Sequence, residues 1–429
     1  MIYVLAGYMF LFVHRPFEIW PWLGTVRIER LYMLCALLWW ITSSEKQLIN
    51  NKLTVSLTLL ALSITTSSII GAYAPDLSTN MLLQHWLKLA VFYILVVTTV
   101  RDERSLRFLI TAFLSANALY MLHSLREFYC GHGQYRMGVW RMVGVGSSYA
   151  DPNSFAATLV YALPMVYPLW GECRAKSCRL ALIGYSVVTL LCVLLTGSRS
   201  SLCALIFLFA VVTCVSPHRL KLIAAYAVLV PIVWNSLRPD LRDRYLTIVD
   251  SSYGPRSAQV SAEGRIEGFR DGVRLWRLYP FFGVGPAAFR KANETGMQPH
   301  NLYGQVLGEL GTFGAIALMA TVCGFVGSLL TLKRLRRNNP KWSQGFLDRV
   351  IKAANVTVML LLLDGLTGHN LYRYTWLWFG AFQVVALHCL EGRAETHPDA
   401  CTPNGHTLVF QRNADCSTIS NAQQPNWHP

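Results

Sequence analysis

Long apolar stretches with no alternation of polar and apolar residues fill most of the first 390 positions. They run near 1–13, 29–43, 53–73, 82–100, 105–123, 154–170, 179–196, 201–215, 219–236, 312–332, 350–368 and 371–390. Backbone amides cannot stay unpaired in hydrocarbon, and barrel strands would alternate over about ten residues, so the pattern predicts helices. The expected fold is all-α, a polytopic integral membrane protein with about twelve transmembrane helices, several shorter than the roughly 20 residues of a full crossing. PFEIWPWLG, between the first two stretches, carries two prolines and a Trp cluster and fits a re-entrant or interfacial turn. The chain divides into helices one to nine over 1–237, a polar loop over 238–300, helices ten to twelve over 301–390, and a polar tail over 391–429.

Composition agrees with this class: 53% hydrophobic, 14% charged and a mean hydropathy of +0.35 exceed what an ordinary soluble domain carries. Orientation follows from lysine and arginine, which short cytoplasmic loops retain. One alternate set of loops holds seventeen, including Arg101, Arg104, Arg107 and the seven from Lys333 to Lys352. The opposite set, leaving the long loop 238–300 aside, holds eight, namely Arg15, Arg27, Arg30, Arg126, Arg136, Arg141, Arg199 and Arg373. Both termini are therefore expected in the cytoplasm and loop 238–300 outside. Much of the +15 net charge is then topology, and nucleic acid is not an expected partner. Of the eleven cysteines only Cys130 falls in a clearly external loop, so no external disulfide pair is expected. No CxxC or Cys/His spacing of a zinc site occurs, and no metal site is expected. The apolar amino terminus has no basic leader or small-residue cleavage site, so a retained first helix is expected.

Candidate chemistry concentrates in loop 238–300, whose 63 residues include nine arginines, one lysine and seven acids. Arginine favours bidentate recognition of phosphate. EGRIEGFRDGVRLWRLYP reads as an amphipathic helix over about 263–278, with Ile266, Phe269, Val273 and Trp276 as its apolar stripe. Arg270, Arg274 and Arg277 fall off that stripe. For Arg270, Arg277 or Arg290 the first reading is solvation, lipid headgroups or pairing along the helix. Arg265 sits at the expected helix start, where an anion would also meet exposed amides. FFGVGP then supplies glycines that let backbone amides approach an anion.

Outside the loop, LLTGSRSSL places Arg199 at the outer end of a span, as the one Lys or Arg between 180 and 218, among small hydroxyl residues. The alternative is a snorkelling side chain. GMQPHNLYGQVLGELGTFG sets His300, Asn301 and Glu309 where the loop re-enters an apolar helix. An imidazole suits a general base near neutral pH, and its alternative is a satisfied interfacial histidine. Glu309 either orients that histidine or pairs with an arginine. Asp364, within VMLLLLDGLTG, is either packing glue or support for the site. Asp151 and Asn153 look first like a turn and helix cap.

LTGSRSS at 195–201, ADPNSFA at 150–156, the R(x10)G spacing from Arg274 to Gly285 and HN(x9)GxxG from His300 to Gly314 carry a family resemblance. Through them the chain resembles the O-antigen ligase and polymerase superfamily of polytopic membrane glycosyltransferases, over essentially residues 1–390. The resemblance implies a GT-C-like fold and metal-independent, inverting glycosyl transfer at the outer face of a bacterial inner membrane, with no cofactor. The donor would be a glycan on undecaprenyl pyrophosphate and the acceptor a sugar hydroxyl of the lipid A core, with membrane lipids around the protein. In that reading Arg199 and Arg265 hold the pyrophosphate and His300 takes the proton of the attacking hydroxyl. Arg274 and Gly285 shape the loop, Glu309 and Asn301 support His300, and Arg270, Arg136, Arg141, Asp151 and Tyr303 are further substrate contacts. An O-antigen polymerase, which uses a second lipid-linked glycan as acceptor, is the near alternative, although the short 124–153 loop favours a ligase. A protein glycosyltransferase of the same superfamily would look alike. A transporter or flippase is the alternative from another class, and it should show paired halves with interrupted midplane helices.

Overall fold

The computed structural model describes residues 1–396 apart from Glu45, Ala72, Met137, 147–150, 251–256 and 339–344, with the side chains of 257–263, 338 and 394–396 also left aside. The tail expected over 391–429 thus lies largely outside the described residues. All twelve apolar stretches carry helix. In chain order the main elements are α1 (Ile2–His14), α2 (Ile28–Thr42), α3 (Lys52–Ile70), α4 (Pro75–Thr99), α5 (Glu103–Tyr129), α6 (Pro152–Ala162), α7 (Lys176–Leu195), α8 (Arg199–Val215) and α9 (Arg219–Ser236). There follow α10 (Pro239–Leu246), α11 (Ser257–Leu278), α12 (Leu302–Asn338), α13 (Phe346–Asp364) and α14 (Thr375–Thr396). A hairpin of β1 (Gln134–Arg136) and β2 (Val139–Arg141) interrupts the all-α expectation, with Tyr135 opposite Trp140.

Among the described residues six helices are long and apolar enough to cross a membrane by themselves: α3, α4, α5, α7, α9 and α12. The rest are short, as α1 and α2 are, or carry charge, as α13 does with Asp348, Arg349 and Lys352. Burial separates helices that hydropathy treats alike. No residue of α9 is buried, so its apolar surface faces outward all round. Most of α14 is enclosed by protein, with Trp376 and Trp378 fully buried and the Trp378 ring tilted against Phe92 and Tyr374 at centroid distances of 4.5 and 4.7 Å.

One end of the bundle is tied by acids that gather three loops. Glu103 and Glu172 share Arg107 at 2.7 Å each, while Arg349 reaches Glu172 at 2.5 Å and Arg393 reaches Glu103 at 2.7 Å. These loops belong to the Lys- and Arg-rich set. Cys173 and Cys178 also lie there and are joined as a disulfide, their Cα atoms 5.7 Å apart across a turn. The sequence reading, directed at external pairs, does not anticipate that bond.

Helix α11 begins at Ser257, about two turns before the expected 263, and it buries a different face. Ile266 is 59% and Phe269 41% exposed, whereas Gly268, Asp271, Gly272 and Leu275 are buried. The physical reason is close helix packing. A Cβ at Gly272 would overlap the backbone of Gly304, and one at Gly268 would overlap the Pro299 carbonyl. Gly268 and Gly272 on α11 pack against Pro299, Gly304 and Gly308 at the start of α12. Gly272→Leu is therefore expected to lower the melting temperature by several degrees and abolish activity. Gly264→Ala, with nothing within 4 Å of its added Cβ, should change neither. Thermal melts of the two purified variants, each paired with a transfer assay, check this.

Helix α12 is broken near its start. Gly311 has φ 64° and ψ −156°, a conformation open essentially to glycine alone. The break lets the end of loop 238–300 pair with helix backbone. Val284 N–H donates to Gly308 O at 2.9 Å, Gly285 N–H to Glu309 O at 3.0 Å, and Thr312 N–H to Pro280 O at 2.8 Å. Ser67 of α3 closes the junction by donating to Phe282 O and Glu309 O at 2.6 and 2.7 Å.

Candidate functional site

The turn between α7 and α8 is the first support of the site. Ser198 caps α8 by accepting from Ser201 N–H, and this sets Arg199 at the first helical position. Leu241 and Tyr245, four apart on α10, are buried, and the Tyr245 hydroxyl donates to Leu194 O at 2.9 Å. On the flank of that buried side, Arg244 donates from Nε to Gly197 O at 2.6 Å. Arg199 donates to the Thr247 hydroxyl at 2.8 Å. The hairpin adds Arg141, fully buried, which donates to Thr196 O at 2.5 Å and to Asn153 Oδ1 at 2.8 Å. Arg136 pairs with Asp151 at 3.1 Å, and Asp151 also caps α6 through Ser154 N–H at 2.8 Å.

Arg265 projects from the third turn of α11 into the same region. Burial and then the Arg199 charge lower its pKa, while Asp364 pulls the other way. Arg244 is held down to about 10, first by burial and then by Arg199, with Arg136 and Arg265 adding to the repulsion. Arg141 falls to about 9, again through burial first and then Arg244. All remain cations at neutral pH. Among the described residues Arg265 makes no hydrogen bond or ion pair, and Arg199 has only the Thr247 hydroxyl. A cluster of partly desolvated guanidinium groups that repel one another is chemically prepared for a multivalent anion.

His300 borders this cluster. It holds φ 40°, a left-handed conformation rare for a residue with a side chain. Its ring centroid is 5.4 Å from that of His369. The residue is solvent-accessible, yet partial desolvation and then the Arg265 charge lower its pKa, with Asp151 opposing. His369 is driven to about 4 by burial and then by His300, so it is neutral under ordinary conditions. Among the described residues the His300 imidazole makes no hydrogen bond, which leaves a ring nitrogen open to a hydroxyl.

Residues 184–319 match the family model described as O-antigen ligase. The match supports membership of the O-antigen ligase family. It covers about a third of the chain and contains Arg199, Arg244, Arg265, His300 and Glu309. Together with the apolar helices it fits a multi-pass inner-membrane protein, and it is consistent with a transferase acting on lipid-linked glycans. No curated protein matches the chain significantly.

Several expectations need correction. Among the described residues Glu309 neither bonds to His300 nor pairs with an arginine; it accepts from the Tyr372 hydroxyl at 2.6 Å and from Gln305 at 3.2 Å. Asn301 caps α12 by accepting from the amides of Tyr303 and Gly304 at 2.9 and 3.0 Å, and Tyr303 donates its hydroxyl to Leu362 O. Arg270 is exposed, and Arg274 pairs with Glu294. Because α11 starts at Ser257, Arg265 does not stand at a helix terminus. The amides of FFGVGP offer no free anion cradle either, since Gly283, Val284 and Gly285 donate to Tyr279, Gly308 and Glu309 carbonyls.

Of the further contributors, Asp364 is the one the sequence offers, as packing glue or support for the site, whereas Arg373 and Arg244 lie beyond the reach of motif reading. Asp364 accepts from the Tyr161 hydroxyl, to which Asn370 also donates at 3.3 Å, and its charge acts on Arg265. Arg373 donates to Ser154 O and to the Thr158 hydroxyl and lies over the Tyr161 ring. Arg244 carried a weak signal only, being three residues beyond one member of a buried apolar pair and next to the other.

Proposed function

We propose that the protein is an O-antigen ligase, transferring a glycan from undecaprenyl pyrophosphate to a sugar hydroxyl of the lipid A core at the periplasmic face. The observation that supports this most is the meeting of Arg199, Arg244 and Arg265 beside His300, with Arg265 lacking any carboxylate partner among the described residues. Departure of a diphosphate concentrates negative charge on its oxygens, and pre-set guanidinium groups stabilise that charge without reorganising. His300 accepts the proton of the acceptor hydroxyl. The acceptor oxygen then bonds to the anomeric carbon from the face opposite the phosphate, the C–O–P linkage breaks on the carbon side, and the configuration inverts. Undecaprenyl pyrophosphate leaves with the bonding electrons. Arg136 and Arg141 extend the cationic wall, while Asp151 fixes Arg136.

A reconstituted assay tests the reading. Purified protein receives lipid-linked glycan together with core lipid A, in the presence of excess EDTA. The expected product is core lipid A extended by one whole glycan, at a rate unaffected by the chelator. Lipid-linked glycan of doubled length would instead identify a polymerase, and transport without any new glycosidic bond would remove the transferase reading.

A further inference from the structure

The turn that follows α11 is apolar where the rest of loop 238–300 is rich in charge. Leu278 and Phe281, on either side of Pro280, are 65% and 72% exposed, and Tyr279 is open as well. Such a patch calls for a cover, and its height in the molecule identifies one. Two helices fix that height. The amides of Thr312 and Phe313 donate to Pro280 O and Phe281 O at 2.8 and 3.1 Å, and residue 312 opens the apolar run of α12. On the other side the turn meets the end of α3, a 19-residue span that stops at Ile70. A Cβ at Gly71 would overlap the Phe282 and Gly283 carbonyls, and Ser67 donates to Phe282 O at 2.6 Å. Both neighbours thus change from apolar span to loop or loop-paired helix at the height of the turn. At and below that height Ile69, Ile70, Ile316 and Met319 are exposed, as the lipid-facing side chains of a span are. Tyr73 stands edge-on to Tyr279 at 6.3 Å and adds a second ring.

Charge completes the match. Helix α11 runs parallel to the start of α12, with Gly268, Gly272 and Trp276 against Gly304, Gly308 and Thr312 in turn. It therefore descends toward the apolar run, and at 1.5 Å per residue its last arginine, Arg277, stands at most about 5 Å behind Pro280 along the axis. That distance falls within the headgroup layer of a bilayer. Arg277 is exposed and makes no hydrogen bond or ion pair among the described residues, whereas Arg274, one turn back, is paired with Glu294. Exposed aromatic and aliphatic side chains at an apolar boundary, with an unpaired guanidinium directly above them, suit an anionic lipid surface. A second copy of the chain fits less well, because a two-fold contact through this patch would bring two Arg277 charges together.

We propose that the turn 278–281 inserts at the headgroup boundary of the adjoining leaflet, with Arg277 on the phosphate of an anionic phospholipid. The loop that carries Arg265 is then moored to the bilayer as well as to the bundle, and no step of the transfer reaction enters the inference. The test places benzoylphenylalanine at position 281 of the full chain, in liposomes of equal parts phosphatidylcholine and phosphatidylglycerol, and irradiates. Mass spectrometry is expected to find the label joined to phospholipid, with phosphatidylglycerol adducts in excess by about three- to fivefold, the bias that one cation near an anionic surface gives. Arg277→Gln should bring that ratio close to one while total lipid labelling persists. Should the labelled protein fail to fold, native mass spectrometry of otherwise unaltered protein should show Arg277→Gln retaining less phosphatidylglycerol than wild type. Absence of lipid adducts, or a covalent dimer in their place, overturns the insertion. Equal labelling of the two lipids with Arg277 present, or equal retention by wild type and Arg277→Gln, overturns the headgroup contact. Labelling that moves wholly to core lipid A, when this is added in equal amount, overturns the phospholipid and assigns the turn to that lipid instead.

Discussion

Replacing His300 by Ala is expected to cut turnover by about 10²–10⁴-fold, the range a positioned general base contributes, while donor binding stays near the wild-type value. The ring makes no hydrogen bond among the described residues, so its removal leaves no buried partner stranded and folding should survive. The pH profile gives an independent reading. Because desolvation and the Arg265 charge lower the His300 pKa, the acidic limb of kcat/KM should have its midpoint below 6.5. Only the neutral ring accepts a proton, so activity rises with pH through that midpoint and then levels. A bound diphosphate offsets Arg265, and so the limb of kcat should lie at higher pH than that of kcat/KM. Wild-type turnover in His300→Ala, or coincident limbs, would remove His300 from the role.

Arg265 should show the second large effect. Arg265→Gln is expected to reduce kcat/KM by about 10²–10³-fold, the cost of deleting one pre-set donor to a developing anion. Arg265→Lys should recover part of this, because the charge remains while the planar fork is lost. Stability should move the other way. Arg265 is repelled by Arg199 and has no partner of its own among the described residues, so the Gln variant should melt higher than wild type in the absence of ligand. Inorganic pyrophosphate should then raise the melting temperature of the wild-type protein more than that of the variant. Paired with Arg199→Gln, the losses should fall short of additive, since both groups act on one diphosphate. Equal stabilisation of wild type and variant by pyrophosphate would sink the shared-anion account.

How much of this was legible in the sequence depends on the distance over which each signal acts. Apolar runs without alternation specify helices locally, and Arg199, Arg265 and His300 stood out as charges at the margins of such runs. Which helix face is buried is a tertiary matter. The apolar-stripe rule selects Ile266 and Phe269, but close packing against Gly304 and Gly308 is made by Gly268 and Gly272, and a rule that looks for bulk passes over the smallest side chains. Arg244 lies in RPDLRDRYL beside Arg242, which donates to carbonyls at Leu237 and Asn235; only the burial of Leu241 and Tyr245 separates the two arginines. His369 and Tyr372 approach His300 and Glu309 from more than sixty residues away. Nothing local to either segment predicts the meeting.

The break at Gly311 sets the limits of the exchangeable unit. A graft of loop 238–300 from another protein that ended at residue 300 would sever Val284, Gly285 and Pro280 from their backbone partners at Gly308, Glu309 and Thr312. The transplantable cassette accordingly runs from about Arg238 through Phe313, so swaps of sugar preference between homologues should be designed across the first turns of the re-entering helix, not at its apparent start.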